Sequence, residues 1–458
     1  MEADELTDIA EYYMTGKQDA KANQAIQAAI DMHPDSVDPQ IFLARQRMFY
    51  GELDKARAIV DGITEQDDQE VIYIRAELLI KEDQANEASD FLLQKMETMH
   101  DSLDTYMYDC VSIFMDYDIW DLAYEWLEQL KDVCPDHPRL PIMEAEILMG
   151  LDRYEEALPQ LQEILDNNPY DSEAWNLLAE THVALENYSE AVEAADYSLA
   201  INPEDSSALL MKANGLMNSG QIREAIDLYE RYLELQPDDL NVHITLSFCY
   251  CTEKRYREAL PLLLKAERLA TQQSDKDAEL SQILQLKAIT VCSLNMFYKA
   301  LSIIEDAKRI TPEDLMWKCY LTEGDIYLQE DRADQAERCF ADALDCCPSQ
   351  PEALFSIAVS YMNAEYYKIA IDLFHDVWIT LGTDDGKFVV PFIANCFLRL
   401  NDMKNFLAFL KQSASCNREA TFKFFHDRFP NIAPEDYYAY AYKEVHGVFP
   451  DISDSLSD

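Results

Sequence analysis

Apolar residues recur along the chain at the spacing of amphipathic helices, and small residues interrupt them at a regular period. The segment 172–203 shows one complete unit. Trp175 and Ala179 share one face of a first helix, since residues at i and i+4 lie together on an α-helix. Ala191 falls within a second helix, and Pro203 ends it because proline removes a backbone donor and clashes with the preceding turn. The pattern therefore predicts a helix–turn–helix unit.

The same unit repeats along most of the chain. Alanines at the second-helix position follow one another at steps of 34, 32, 35, 34, 34, 34, 34, 41, 36 and 34 residues; they are Ala22, Ala56, Ala88, Ala123, Ala157, Ala191, Ala225, Ala259, Ala300, Ala336 and Ala370. A small side chain at this position lets two helices cross closely. The step of 41 contains the polar segment 271–280, which we interpret as a linker. Units that repeat in this way contact their neighbours and build a solenoid.

The repeat resembles the tetratricopeptide repeat (TPR) family in its period, in the Trp-x-x-Leu-Ala of residues 175–179, and in the later alanine and proline. The resemblance covers eleven units over residues 3–384. A twelfth unit at 387–420 is degenerate, because Phe406 stands where the second-helix alanine is expected. The resemblance implies an all-α fold, a right-handed α-α superhelical solenoid of about 12 repeats.

Four regions are expected along the chain. Seven acidic N-terminal repeats span 3–239, and the C-terminal repeats span 240–420, with four clear units, the degenerate unit and the insertion 271–280. Two capping helices are expected at 421–447, and a disordered acidic tail at 448–458. The alternative for the second capping helix is a partner-docking element, because tyrosines crowd it at Tyr437, Tyr438, Tyr440 and Tyr442.

Charge narrows the range of partners. The chain has 37 Lys and Arg against 87 Asp and Glu, a formal net charge of −50. Such a balance argues against nucleic acid and against anionic membrane surfaces, which both attract clustered basic residues. Residues 1–239 hold 54 of the acidic and 15 of the basic residues, so the N-terminal half carries most of the charge. A hydrophobic content of 48% still supports a buried core. With only 10 glycines, we expect few tight turns.

The chain shows no features of export or membrane insertion. It begins MEADELTDIAEYY, without the basic and apolar regions of a signal peptide, and it has no run of about 18 apolar residues. The 11 cysteines are an odd number and mostly fall within apolar helical patterns. We therefore expect reduced thiols and a cytoplasmic location.

Motifs that carry chemistry are absent from the sequence. There is no phosphate-binding loop, no dinucleotide fingerprint, no H-E-x-x-H, no G-x-S-x-G and no C-x-x-C. Cys249 and Cys251 would lie about 200° apart on a helix, which disfavours a shared metal ion. We expect no enzyme activity, no cofactor and no metal site.

The resemblance to TPR proteins implies that the first helix of each unit lines a concave groove, with the second, fifth, ninth, twelfth and thirteenth places of the unit facing it. In this groove we predict partner-binding residues at Glu11, Met14, Met48, Glu77, Met115, Glu146, Met149, Asn176, Glu180, Asn214, Met217, Phe248, Phe355 and Phe392. Glutamates above adaptable methionines favour a partner with basic and apolar residues. The alternatives are core methionines and a solvated glutamate face.

The phenylalanines make the second half of this groove more apolar, which indicates either two ligand zones or self-association through the C-terminal half. The function predicted is a non-enzymatic scaffold or adaptor that binds a basic and apolar protein segment in the groove. One alternative is a regulatory sensor whose superhelix changes pitch on binding a peptide or small effector, with 271–280 as its hinge. Another is a chaperone-like holder of basic clients.

Overall fold

The computed structural model describes residues 3–15, 18–34, 36–96, 103–272, 277–382 and 384–450. Within these ranges the chain forms 26 α-helices and three short 3-10 helices, and no strand. The chain divides into two compact units, unit 1 (Met1–Gln221) and unit 2 (Ile222–Asp458).

Unit 1 contains thirteen helices: α1 (Ala3–Thr15), α2 (Asp19–Met32), α3 (Val37–Phe49), α4 (Leu53–Gly62), α5 (Gln69–Lys81), α6 (Ala85–Met96), α7 (Leu103–Asp116), α8 (Trp120–Val133), α9 (Leu140–Gly150), α10 (Tyr154–Asn167), α11 (Ser172–Ala184), α12 (Tyr188–Ile201) and α13 (Ser206–Asn218). Unit 2 contains thirteen more: α14 (Ile222–Leu235), α15 (Leu240–Thr252), α16 (Tyr256–Thr271), α17 (Asp277–Ser293), α18 (Phe297–Lys308), α19 (Met316–Gln329), α20 (Ala333–Cys346), α21 (Gln350–Asn363), α22 (Tyr367–Leu381), α23 (Val390–Arg399), α24 (Met403–Cys416), α25 (Arg418–Phe425) and α26 (Tyr437–His446).

Helices pack in successive pairs in both units. In unit 1, α1 packs on α2, α3 on α4, and so on to α11 on α12, and each first helix also touches the first helix of a neighbouring pair, as α3 touches α5 and α11 touches α13. Unit 2 repeats this arrangement from α15 with α16 to α23 with α24. Each unit is therefore an α-solenoid, and the predicted all-α solenoid of paired helices is confirmed. The degenerate twelfth unit also forms its pair, α23 and α24.

The periodic alanines lie where the pattern requires small side chains. All eleven, from Ala22 to Ala370, have 0% of their surface exposed. Phe406, at the corresponding place of the twelfth pair, is buried as well. Its ring lies 5.7 Å from that of Phe425, so the larger side chain packs toward the C-terminal helices.

A residue with positive φ stands in the tight turn after each of eleven successive first helices, α3 to α23. These residues are Gly51, Asp83, Asp118, Asp152, Glu186, Gly220, Lys254, Asn295, Asp331, Glu365 and Asn401. The expectation that scarce glycine means few tight turns is wrong. The turns are present, but nine of the eleven are made by residues with a Cβ, which each accept the steric cost of the left-handed conformation.

Aspartates begin several first helices. Asp171, Asp205 and Asp239 each accept a hydrogen bond from the backbone N–H three residues later, at 3.1, 3.1 and 3.0 Å. This N-cap satisfies a donor that the helix leaves open. Asp205 and Asp239 each follow a proline that comes just after a second helix, Pro203 after α12 and Pro237 after α14.

The C-terminal segment forms two helices, α25 and α26, which both pack on α24. Phe425, Phe429 and Tyr437 are buried between them. The capping role of these helices and the boundary at 239/240 stay predictions.

Within the predicted linker 271–280, residues 273–276 lie outside the described residues, as do residues 451–458 of the predicted tail. No described helix is both long enough and apolar enough to cross a membrane.

Candidate functional site

The candidate site of unit 1 is the exposed side of its first helices, α1, α3, α5, α7, α9, α11 and α13, which we call the first-helix face. Successive first helices touch along it, for example α1 with α3 and α9 with α11. Two depressions lie on this face, one near the N-terminus and one between α11 and α13.

The N-terminal depression has a volume of about 230 Å³ and is lined by Thr7, Asp8, Glu11, Asp38, Ile41, Phe42, Arg45 and Glu70. Arg45 bridges α3 to α5, with Nη2 at 3.0 Å from Glu77 Oε1 and 3.4 Å from Glu70 Oε2. The Tyr117 hydroxyl donates to the other oxygen of Glu77 at 3.2 Å. Of the predicted residues, Glu11 lines the depression, whereas Glu77 is half-buried and already paired.

The second depression, of about 320 Å³, combines carboxylates with apolar side chains. It is lined by Ser172, Glu173, Asn176, Leu177, Glu180, Asp205, Ser207, Leu210 and Met211. The structure thus brings the predicted Asn176 and Glu180 together with Glu173. A mixed lining of this kind suits a ligand that carries both positive charge and an apolar group.

Carboxylates repel one another at this end of the first-helix face. Burial raises the pKa of Glu146, and the nearby Glu173 carboxylate raises it further. Arg139 opposes that shift from its ion pair with Glu173, at 2.9 Å, while Glu180 adds to it. The pKa of Glu180 is also raised because surrounding protein displaces water from it. Among the described residues, Arg139 is therefore the one arginine close to this group of Glu146, Glu173 and Glu180. A cation brought by a ligand would reduce the repulsion on Glu146.

Asn176 joins α11 to the start of α13. Its Nδ2 donates to Asp205 Oδ2 at 3.1 Å. Its Oδ1 is buried and has no hydrogen-bond partner among the described residues. The depression therefore offers one acceptor that a ligand could satisfy. Asn214 and Met217, also predicted, lie half-buried on α13.

The predicted methionines divide into two groups. Met48 and Met149 are buried in the helix-pair cores, so they fill space between helices. Met14 and Met115 are half-buried and pack against core clusters. The first-helix face is therefore defined more by its carboxylates than by a methionine floor.

In unit 2 the predicted phenylalanines occupy different environments. Phe248 on α15 is 55% exposed. Phe355 and Phe392 are half-buried in a group of five rings that we call the ring cluster, with centroids 5.0 to 5.8 Å apart: Phe355, Phe374, Phe388, Phe392 and Phe424. Two of the three phenylalanines predicted to face a partner in this half therefore pack inside the protein, within the ring cluster.

Asp325 is the most perturbed carboxylate of unit 2. Burial on α19 raises its pKa to about 7, although a hydrogen bond with Ser360 opposes the shift. Its charge contributes, after burial, to the raised pKa of the neighbouring Cys292, about 12. Asp325 stands at a ninth place of its unit, like Glu146 and Glu180, yet it faces a drier environment.

The buried thiols are poor nucleophiles. All 11 cysteines are free. Burial raises the pKa of Cys249 to about 11 and that of Cys396 to about 12, so both stay protonated at neutral pH. Across the described ranges, no group of three or more His, Cys, Asp or Glu side chains is placed to hold a metal ion.

Several charged residues of the first-helix face were absent from the predicted set. Glu70, Arg139 and Glu173 stand at the second place of their units, and each forms an ion pair with another first helix. The signal that could have found them is the frequent charge at second places, which include Asp38, Glu70, Arg139 and Glu173, read together with the ninth places. The predicted set used the ninth and twelfth places alone, apart from Asn176, Phe355 and Phe392.

Comparisons with known families match two parts of the chain. A model described as the tetratricopeptide repeat matches residues 20–78. A model described as the cytochrome c-type biogenesis protein H TPR domain matches residues 153–278. No curated protein gives a significant match to this chain.

Solved structures of repeat proteins are similar to the chain at low identity. A tetratricopeptide repeat protein from Parabacteroides merdae is 15% identical, with 56% of this chain and 98% of that chain covered and a TM-score of 0.40. YrrB, described as a TPR protein with an unusual peptide-binding site, is 17% identical over 42% of this chain and 95% of its own, with a TM-score of 0.36. The APC/C hetero-tetramer Cut9–Hcn1 is 14% identical over 91% and 94%, with a TM-score of 0.35.

Proposed function

We propose that the chain, in which tetratricopeptide repeat models match residues 20–78 and 153–278, is a non-enzymatic scaffold that binds a basic and apolar protein segment on the first-helix face of unit 1. The repeat fold generally supports protein–protein interaction. The observation that carries the finer proposal is the group of Glu146, Glu173 and Glu180 beside the apolar lining of the second depression, in which the Glu173 and Glu180 carboxylates both raise the pKa of Glu146.

The chemistry of the segment follows from that surface. A lysine or arginine placed among the three glutamates would replace repulsion with attraction. An apolar side chain one helical turn away would contact Leu177, Leu210 and Met211. A backbone or side-chain N–H would satisfy the open acceptor of Asn176. A carboxylate-bearing segment would meet Glu180 and be repelled.

The test uses two fluorescein-labelled amphipathic helical peptides, one of lysine and leucine and one of glutamate and leucine. Fluorescence anisotropy with the full chain is measured at about 0.05 M and about 0.5 M salt. The lysine peptide should bind and lose affinity as salt screens exposed charge pairs, and the glutamate peptide should not bind.

A triple variant, Glu146→Gln, Glu173→Gln and Glu180→Gln, should weaken lysine-peptide binding by at least about tenfold at low salt. The matched control removes the same charge from exposed positions on the second helices: Glu155→Gln, Glu190→Gln and Glu193→Gln. It should change affinity less than about twofold. Equal losses in both variants would mean that the peptide senses net charge only, and the proposal would be wrong.

The two alternatives have separate readouts. A sensor would change its radius of gyration on adding the lysine peptide, in solution scattering. A holder would suppress aggregation of several unrelated basic proteins, and the triple variant would then lose that protection for all of them.

A further inference from the structure

A large cavity opens in unit 1 and shares no lining residue with the two depressions, although Asp171 in its lining directly precedes Ser172 of the second depression. Its volume is about 840 Å³. It lies where the ends of α8 and α10 meet the start of α9, and its lining residues belong to three segments, 131–144, 160–168 and Asp171.

The cavity has a cause in the repeat pattern. Position 141 is the fourth place of its unit, and in several other units this place holds a buried and longer side chain, for example Ile72, Met107, Leu209 and His243. Here the residue is Pro141, whose ring is exposed. A compact ring in place of a longer side chain leaves room between the helix ends.

The next unit shows what normally fills this space. Trp175 stands 34 residues after Pro141. Its ring stacks on Tyr197 with centroids 4.5 Å apart, and its Nε1 donates to the Pro169 carbonyl at 2.9 Å. The residues at the corresponding places around the cavity are Glu163 and Pro135, and both line it. The cavity is thus the place that an indole ring occupies one repeat later.

The charges around the cavity favour a cation. The lining contains four carboxylates, those of Asp136, Glu144, Glu163 and Asp171, and one lysine. That lysine, Lys131, already pairs with Glu128 and Glu144, both at 2.8 Å. The C-terminal ends of α8 and α10 also lie beside the cavity, and helix C-termini carry partial negative charge.

One polar group in the lining lacks a partner. Gln160 Oε1 is buried and accepts no hydrogen bond from the described residues. The same lining includes the apolar side chains of Ile142 and Ile164. An indole N–H or a guanidinium brought by a ligand would satisfy this acceptor, and a purely aliphatic ligand would leave it open.

We propose that this cavity is a second docking site, which takes a partner segment carrying an aromatic side chain next to an arginine or lysine. The aromatic ring occupies the place left by Pro141, and the cation lies against Glu163 and the helix ends. Three prolines in the lining at 135, 138 and 141 restrict the backbone, so the site is formed before the ligand arrives. This inference does not depend on the first-helix face.

The test follows the isoleucine methyl groups of the full chain by NMR, since Ile142 and Ile164 report directly on the lining. The probes are the acetylated tripeptide amides Arg-Trp-Arg, Arg-Ala-Arg and Glu-Trp-Glu. Arg-Trp-Arg should shift both methyl signals in a saturable manner. Each of the other two should bind at least about tenfold more weakly, because one lacks the ring and the other places carboxylates against carboxylates.

Two variants test the location independently. Pro141→Trp restores the bulky fourth place and should weaken Arg-Trp-Arg binding by at least about tenfold. Glu163→Lys reverses one charge at an exposed position and should weaken it several-fold, whereas the matched Glu193→Lys on α12 should not. The Gln triple variant of the first-helix face should bind as the wild type does. The proposal is wrong if Arg-Trp-Arg leaves both methyl signals in place, if Arg-Ala-Arg binds equally well, or if Glu163→Lys has no more effect than Glu193→Lys.

Discussion

The first-helix face of unit 1 and the ring cluster of unit 2 are made from the same kind of helix pair, but they use their inner residues differently. In unit 1 the Glu146 carboxylate of α9 is half-buried and is repelled by the Glu173 and Glu180 carboxylates of α11. In unit 2 the phenylalanines of α21 and α23 pack ring against ring at 5.2 Å. The repeat thus determines the backbone and the alanines where helices cross. The remaining positions decide whether a face is available to a partner or contributes to the stability of the fold.

The largest expected effect would show that the ring cluster serves stability. Phe392→Ala removes a ring that lies 5.0 to 5.4 Å from those of Phe424, Phe355 and Phe374. It should lower the free energy of unfolding by about 3 kcal/mol, measured by urea denaturation. The control Phe248→Ala removes an exposed ring of the same unit and should cost less than about 0.5 kcal/mol. Similar costs for both would remove the distinction between packed and exposed rings.

The second effect distinguishes the buried carboxyl group of Asp325 in unit 2 from the glutamates of the first-helix face. The pKa of Asp325 is raised to about 7, so the native state holds this proton more tightly than the unfolded chain does. Its stabilising contribution is present below the unfolded pKa of about 4 and is lost as pH rises toward 7. Asp325→Asn should therefore raise the free energy of unfolding by about 2 kcal/mol at pH 8, and the gain should vanish near pH 4.

The control for Asp325 is Asp372→Asn, an exposed aspartate on α22. It should leave the pH profile of the urea midpoint unchanged. A profile for Asp325→Asn that runs parallel to the wild type between pH 4 and pH 8 would contradict the buried, proton-holding assignment.

The third effect concerns Glu146 in unit 1. Its substitution should also raise the free energy of unfolding, but by an amount that depends on salt. Burial and Glu173 raise the pKa of Glu146, so its stabilising contribution is also lost as pH rises above its usual range. Glu146→Gln should raise the free energy of unfolding at pH 7 by about 1 kcal/mol, a value that already allows for solvent screening. Raising the salt to about 0.5 M should reduce this gain, whereas the gain of Asp325→Asn should persist. If both gains respond equally to salt, the two faces do not differ in hydration.

Sequence periodicity was sufficient for the fold because the crossing alanines allow few substitutes. A side chain larger than alanine at position 191 would separate α11 from α12. The repeat period is therefore visible in the sequence as regularly spaced alanines. The N-cap aspartates also have a sequence signal, since Asp205 follows Pro203, which comes just after α12.

The faces were harder to predict because their environment depends on neighbouring helices. Met48 and Met217 hold the same place in their units, yet Met48 is buried and Met217 is half-buried. Phe355 and Phe392 could equally have faced a ligand, but three further rings cover them. The cavity at Pro141 did have a sequence signal, the loss of a large fourth-place residue. It is visible only when one unit is compared with the next at that place.

The smallest expected effect concerns a feature that both units share. Glu186 in unit 1 and Lys254 in unit 2 hold φ of 59° and 58° in their turns, and both are exposed. Glycine adopts this conformation without the Cβ clash, although it loses more entropy on folding. Glu186→Gly and Lys254→Gly should therefore each raise the free energy of unfolding by about 0.5 kcal/mol in urea denaturation. The controls Glu186→Ala and Lys254→Ala remove the charge but keep the Cβ, and they should not stabilise. Because the two residues carry opposite charges, equal gains from glycine would assign the effect to the backbone. Changes of opposite sign in the free energy of unfolding would instead assign the effect to side-chain charge, which differs between the two turns.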